Sequence, residues 1–171
     1  MTTAPGSLDV ARAGSTVYVK VKGLGIASIG LDLWDFSEEM ARQGFSKFII
    51  DLEDCQSFDS TFMGVLVGVA EIAEQNEGGG VMVIHPSPHH KKLLSEVGLT
   101  KIITIREEPI EVPDGIEMTP LYELARTSEK RIQMIREAHE QLCELDERNR
   151  IKFGAFLEML AREIGPKKNL K

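Results

Sequence analysis

Two kinds of hydrophobic spacing alternate along the chain up to about residue 105. Short apolar runs typical of strands cover about residues 17–22, 48–52, 81–84 and 102–105, and apolar positions at helical spacing cover about 31–43, 61–75 and 89–97. Because strands that alternate with helices form layers with parallel neighbours in the core, the pattern predicts an α/β domain. We expect a mixed sheet of about four to five strands with helices packed on it.

The first predicted strand alternates between apolar and polar side chains. Its apolar positions are Val17, Val19 and Val21, and between them lie Tyr18, Lys20 and Lys22. This period of two predicts an edge strand or a half-exposed strand, with one face on the core and the other in water. A glycine-rich loop from Gly23 to Gly30 follows, and a polar loop from Glu53 to Phe58 follows the second strand.

The pattern changes from about Pro120 onward. Thr119 is a fair N-cap and Pro120 suits the first helical turn, so we expect a helical extension to begin there. A stripe of mostly apolar residues at helical spacing runs along this extension. It consists of Ile132, Ile135, His139 and Leu142, and then Phe153, Phe156, Leu157, Leu160 and Ile164. Asp146 and Asn149 lie between the two halves of the stripe and are poor core residues. The extension is therefore either one long helix with a polar midsection or two helices that turn there. The single helix is slightly favoured because the midsection has no glycine or proline.

These patterns divide the chain into four parts. We expect a flexible N-terminus over residues 1–14, an α/β domain over 15–118, a helical extension over 119–165 and a tail over 166–171. The apolar stripe of the extension must be buried on the domain, on its own second half or on another chain. A homodimer through this extension is therefore one of three predictions for it.

Charge narrows the classes of partner. The net charge is −7, and an acidic protein lacks the basic face that phosphate backbones require. Split at Met118, the first part carries 18 acidic and 9 basic residues and the rest carries 9 acidic and 11 basic residues. This distribution favours protein partners over direct contact with nucleic acid.

The two cysteines and the hydrophobic runs indicate where the protein acts. Cys55 and Cys143 lie far apart, without a cysteine or histidine at metal-ligand spacing, so we expect free thiols in a reducing compartment. Residues 1–15 lack the layout of a signal peptide. The longest mostly apolar run, residues 62–73, is shorter than the ~20 residues that span a bilayer. We predict a cytoplasmic protein with no membrane partner.

Asp59-Ser60-Thr61-Phe62-Met63-Gly64 lies where a predicted strand and loop lead into a helix. Since Ser, Thr and Asp are the preferred N-cap residues, the triplet by itself indicates a helix cap, with Ser60 at or next to the N-cap. A phosphate on Ser60 would meet unpaired N–H groups and the positive end of the helix dipole, beside the carboxylate of Asp59. The segment is therefore a candidate switch as well as a cap.

Several further motifs follow in a set order. They are Gly78-Gly79-Gly80 before a strand, Pro86-Ser87-Pro88, Lys92-Leu93-Leu94, Val97-Gly98-Leu99 and Ile102-Ile103-Thr104-Ile105. In order and spacing, about residues 15–107 resemble a STAS domain, the fold of bacterial anti-sigma factor antagonists. The C-terminal extension is not required by that family.

The resemblance implies a partner switch. Ser60, directly after Asp59, matches the serine that a cognate anti-sigma kinase phosphorylates in such antagonists, with Thr61 as the second choice. The unmodified protein would bind an anti-sigma factor or serine protein kinase, and the phosphorylated protein would release it. The implied partner-binding residues are Asp59, Ser60, Thr61, Phe62, Met63 and Gly64.

Phe62 departs from the family pattern, which usually has glycine after the serine pair; Gly64 keeps the place of the second glycine. An exposed Phe62 would be a partner anchor, because aromatic residues are enriched at interface hot spots. Packing of Phe62 against the first helix is the favoured alternative. A different function also stays open, in which Ser60 only caps the helix and the protein is an unphosphorylated scaffold assembled through its C-terminal extension.

Catalytic patterns are weak. Residues 23–28, Gly-Leu-Gly-Ile-Ala-Ser, half-resemble a dinucleotide fingerprint, with Asp51 at the end of the next strand, but Ser28 stands at the third glycine. No histidine is placed by sequence to act as a base for Ser60, and a lone histidine on an apolar stripe, such as His139, is expected to be packed or hydrogen-bonded. We predict no enzyme and no cofactor.

Metal-binding patterns are also weak. His85, His89 and His90 lie around two prolines and are expected to be surface residues of a loop. The acidic residues Asp51, Glu53, Asp54 and Asp59 could hold a hard cation but are expected to form a solvated loop. We predict no metal site.

Overall fold

The computed structural model describes residues 5–164, so the predicted tail over 166–171 lies outside the described residues. The strands are β1 (Ser7–Ala13), β2 (Thr16–Gly25), β3 (Lys47–Asp51), β4 (Cys55–Phe58), β5 (Gly80–Ile84), β6 (Thr104–Arg106) and β7 (Thr119–Leu121). The helices are α1 (Ala27–Arg42), α2 (Ser60–Glu74), α3 (Pro88–Glu96), α4 (Ser128–Leu145) and α5 (Arg148–Ile164), with a short 3₁₀ turn at Leu99–Lys101.

The sheet is mixed, as predicted. Its order is β6-β5-β3-β2-β1-β7, with β2, β3, β5 and β6 parallel to one another, and β4 pairs with the end of β2. β1 is antiparallel to β2, and β7 is antiparallel to β1. The α/β class is thus confirmed, but the described residues form seven strands where about four to five were predicted.

The N-terminus corrects one prediction. Residues 7–13, placed in a flexible segment over 1–14, form β1, because Leu8 and Val10 are buried in the core while Leu8 pairs with Val21 of β2. β2 is therefore central, and the prediction of an edge strand was wrong. Its half-exposed character is confirmed, since buried and half-buried residues alternate along its whole length.

Two other short strands replace predicted features. β4 lies inside the segment 53–58 that was predicted as a polar loop, and it is held by pairing with the last residues of β2. β7 lies where the C-terminal helix was predicted to begin. Pro120 fits there because β7 is an outer strand, where a missing backbone donor costs little.

The C-terminal region forms two helices, so the favoured single helix was wrong and the two-helix alternative was right. α4 begins after Thr127, whose side chain accepts a hydrogen bond from the N–H of Lys130, and it ends at Asp146, which has an extended backbone. Asn149 donates through its side-chain amide to the carbonyl of Leu142 at 2.8 Å. Side-chain hydrogen bonds thus replace the glycine or proline that the break was expected to need.

α4 packs on the chain's own domain, and α5 packs mainly on α4. Met134, Ala138 and Leu142 on α4 are buried and belong to the hydrophobic core that includes α2. Within residues 5–164, no helix has the length and the apolar character needed to span a bilayer. Both cysteines are free and buried, and burial raises the pKa of Cys55 to about 11.

Candidate functional site

The candidate site begins at Asp59, where β4 ends and α2 starts. Its backbone N–H donates to the carbonyl of Gly25 at 2.9 Å, which ties the junction to the end of β2. Its carboxylate accepts from the N–H of Phe62 at 2.9 Å and from the N–H of Ala27 at 3.2 Å. The N-cap of α1, Ile26, contributes no side-chain cap. One carboxylate therefore caps the positive ends of two helices.

Ser60 is the first residue of α2, directly after the N-cap. Its Oγ lies 2.8 Å from Nε2 of His139 on α4, while Nδ1 of His139 lies 2.8 Å from the carbonyl oxygen of Ile135. A carbonyl oxygen only accepts, so Nδ1 carries a proton. In the neutral imidazole, Nε2 then accepts a hydrogen bond from the Ser60 hydroxyl.

Apolar packing favours the neutral form of His139. The side chain is 2% exposed, and the rings of Phe153 and Phe156 on α5 lie 5.3 and 4.7 Å from it. Burial lowers the pKa of His139, although the Ile135 carbonyl and the Asp59 carboxylate act in the opposite direction. The prediction that His139 is a packed, hydrogen-bonded residue is confirmed.

The pairing of Ser60 with His139 was not predicted. The two residues are 79 positions apart, and the spacing of the apolar stripe shows which side of α4 is buried but not which residue it meets. The weak signal in the sequence was the presence of one imidazole among apolar stripe positions, because a buried histidine needs a polar partner.

Phe62 is fully buried, so the packing alternative is confirmed and the partner-anchor alternative was wrong. Its ring lies 5.9 Å from the ring of Phe58. A Cβ at Gly25 would lie 3.2 Å from the Phe62 ring and one at Gly30 would lie 3.3 Å from it. Gly25 lies in the run 23–28 that half-resembles a dinucleotide fingerprint. Because it has no side chain, it leaves room for the ring of Phe62, the residue that departs from the family pattern.

The six residues predicted to bind a partner are not an open surface in this conformation. Asp59 and Ser60 are half-buried, whereas residues 61–64 are buried. Gly64 lies directly against α4, because a Cβ built on it would fall 2.1 Å from the carbonyl oxygen of Ala138. The structure thus brings the six residues together at the start of α2 and covers most of them.

The three histidines near the prolines have separate positions. His85 pairs with Asp51 at 2.9 Å, and His89 lies 2.9 Å from the hydroxyl of Ser57. His90 corrects the prediction of a surface loop: it is 2% exposed, forms a reciprocal capping box with Ser87 and is the third residue of α3. Burial lowers the pKa of His90, with the neighbouring His89 as a second cause.

The acidic residues after β3 do not act as one group. Asp51, Glu53 and His85 place one ligand atom each within 4.8 Å of one another, and all are at least partly exposed. Asp54 pairs with Lys20 at 3.1 Å, whereas Asp59 is the helix cap described above. Exposed acidic groups at such distances are common, and we assign them no metal.

With this geometry in place, residues 8–106 match the sequence model described as "Mlab, STAS domain". The chain belongs to the STAS domain family. The matched segment includes β1 to β6 and the capped junction at Asp59 and Ser60. The C-terminal helices lie outside it.

Proteins of similar sequence or similar fold include several that are named as anti-sigma factor antagonists. The TM1081 homolog of Thermotoga neapolitana, named as an anti-sigma factor antagonist, is 26% identical over 84 residues, which is 49% of this chain and 73% of that protein. The antagonist SpoIIAA in its unphosphorylated form has a similar fold, with a TM-score of 0.53 and 19% identity over 59% of this chain and 89% of that one. An antagonist from Mycobacterium paratuberculosis matches with a TM-score of 0.52 and 18% identity over 61% and 89% of the two chains.

Proposed function

We propose that this protein is an anti-sigma factor antagonist that acts by partner switching in the cytoplasm, as a binding protein and not an enzyme. The observation that carries the proposal is Asp59 followed by Ser60 at the start of α2 in a STAS fold. By the family resemblance, Ser60 corresponds to the serine that is phosphorylated in such antagonists. Its partner is an anti-sigma factor or a serine protein kinase. Thr61 is the weaker choice for modification because it is 6% exposed, whereas Ser60 is half-buried.

The physical basis of the proposed switch is charge. A phosphoserine adds about −1.5 to −2 charges at neutral pH. It would stand next to the Asp59 carboxylate on a chain whose net charge is already −7. Like-charge repulsion and desolvation across an interface cost several kcal/mol, which is enough to release a partner.

The test is a pair of substitutions at Ser60. Ser60→Ala should keep the partner bound and Ser60→Asp should release it, measured by affinity capture from the source cell with the bound proteins identified by mass spectrometry. Phosphopeptide mapping over residues 48–91 should find the phosphate on Ser60. Equal capture by both variants and an unmodified peptide would contradict the proposal.

A second candidate is a STAS scaffold that is not phosphorylated and assembles through its C-terminal helices. The observation that favours it is the outer side of α5, where Ile151 is 90% exposed and Met159 is 49% exposed. Homodimerisation through these helices is part of this candidate. Sedimentation of the wild-type chain and of Ile151→Glu separates the two, since a scaffold dimer would lose its association while the switch needs none.

A further inference from the structure

We propose that residues 122–164, here called the strap, alternate between a closed state over Ser60 and an open state in which Ser60 can be modified or bound. The use of Ser60 rests on the proposed function. The strap itself rests on how α4 lies on α2 and on how its two ends are attached.

The contact over the site is close and contains one polar pair. Gly64 allows the backbone of α4 to approach, so that Ala138 sits where any larger residue on α2 would have its Cβ. One helical turn towards the start of α2, Ser60 donates its hydroxyl to His139 at 2.8 Å. A phosphoryl group on Oγ would need the space that the imidazole occupies. Closure of the strap and modification of Ser60 therefore exclude each other.

The strap has an attachment before α4. Arg126 is 10% exposed and donates to Asp32 and to Asp35 of α1, at 2.7 Å each. The N–H of Leu124 also donates to the Asp32 carboxylate, at 3.2 Å. This group of contacts, here called the clasp, holds the strap at a point separate from Ser60. Between β7 and α4, residues 122–127 form no helix or strand and are mostly exposed.

The turn between α4 and α5 has a second attachment. Asn149 donates to the carbonyl of Val97 at 2.9 Å, and Lys101 donates to the carboxylate of Asp146 at 3.0 Å. Arg148 and Lys101 beside it hold the pKa of Asp146 well below its usual range. Polar contacts thus lie at both ends of α4, and these can exchange for water when the strap opens.

Two discrete states follow from this arrangement. A partner or a modifying enzyme that needs Ser60 selects the open state, and a phosphate on Ser60 keeps it open because the closed geometry no longer fits. The extension beyond the family domain therefore acts as an internal competitor for the start of α2.

Gly64→Ala tests the strap directly. Alanine favours the α2 helix, so the substitution should not weaken α2 itself. Its Cβ would collide with the backbone carbonyl of Ala138 on α4, which cannot rotate away as a side chain can. Ser60→Cys supplies the probe: N-ethylmaleimide labels residue 60 in the purified full chain, and peptide mass spectrometry quantifies the label. The matched control is Gly154→Ala on α5, where an added Cβ meets nothing within 4 Å. Buried Cys55 serves as an internal reference for the domain.

Labelling of residue 60 should be slow in the chain with only Ser60→Cys, at least about tenfold faster with Gly64→Ala, and unchanged with Gly154→Ala. Labelling at the rate of a free thiol without Gly64→Ala would overturn the strap. So would equal rates for the two glycine variants.

If Gly64→Ala does not fold, Arg126→Gln gives an independent test, because it opens the clasp by removing the contacts with Asp32 and Asp35. It should also speed labelling about tenfold, whereas Arg131→Gln, an exposed position on α4, should not. No acceleration with a folded Arg126→Gln would count against the strap. The labelling experiment uses no partner, so it tests the strap separately from the partner switch. If the labelling shows that the strap opens but Ser60→Asp leaves partner capture unchanged, only the partner switch is refuted.

Discussion

The sheet domain and the strap are stabilised in different ways. The domain is held by contiguous apolar packing, in which Val17, Ile50 and Phe62 are fully buried. The strap adds to that core through Met134, Ala138 and Leu142 on α4, both ends of α4 are also held by hydrogen bonds and ion pairs, and α5 leaves Ile151 90% exposed. Polar contacts exchange with water, whereas opening the strap must also expose the apolar side of α4. We expect the domain to stay folded when the strap opens because the family domain, residues 8–106, does not include α4 and α5.

The largest expected effect comes from Phe62→Ala in the domain. Removing a fully buried ring packed between Gly25, Gly30 and Phe58 should lower the free energy of unfolding by about 3–5 kcal/mol, measured by urea denaturation. Phe156→Ala, a half-buried ring on α5, is the matched control and should cost less than half as much. Equal losses would contradict the comparison, because both rings would then contribute equally to global stability.

A smaller effect is expected from Asp59→Ala, which removes the cap of α1 and of α2 together. The loss should be about 1–3 kcal/mol in the free energy of unfolding, because each lost cap costs roughly 1 kcal/mol. Hydrogen exchange should speed up in the first turns of both helices. Ser87→Ala, which removes one cap at α3, is the control, and an equal loss there would show that Asp59 caps only one helix in solution.

The smallest effect is a pH dependence at His139. Its pKa is lowered from the ordinary 6.5 by burial, so the folded chain disfavours the proton that the exposed imidazole accepts. The stability from the neutral side chain is present above about pH 6.5 and is lost as the pH falls through the lowered value.

The comparison for this effect is wild type against His139→Gln, with urea denaturation at about pH 7.5 and about pH 5.5. The wild type should lose more stability on acidification. Burial also lowers the pKa of His90, but His90 is present in both chains. The difference in pH dependence between the two chains therefore reports on His139 alone. Identical pH profiles would show that His139 is not buried in solution as it is in the structure.

Local pattern was enough for much of the fold. The period of two along residues 17–22 and the helical spacing over 61–75 arise from one-sided burial, which is visible in sequence order. The motif at Asp59 and Ser60 was visible for a related reason, since capping uses residues three positions apart. The break between Asp146 and Asn149 was an alternative but was not favoured, because the hydrogen bond from Asn149 to the distant Val97 carbonyl is not visible in sequence order. The strand at Ser7–Ala13 was missed because strand pairing depends on distant partners.

The sequence by itself determined the α/β class, the STAS family pattern and the position of Ser60 at the start of a helix. Only the tertiary structure decided that Phe62 turns into the core, that Asp59 caps a second helix and that His139 closes over Ser60. The physical reason is the separation along the chain of the residues that decide each feature. The spacing of neighbouring residues indicates which side of an element is buried. The partner of a buried polar group is instead determined by packing between distant segments.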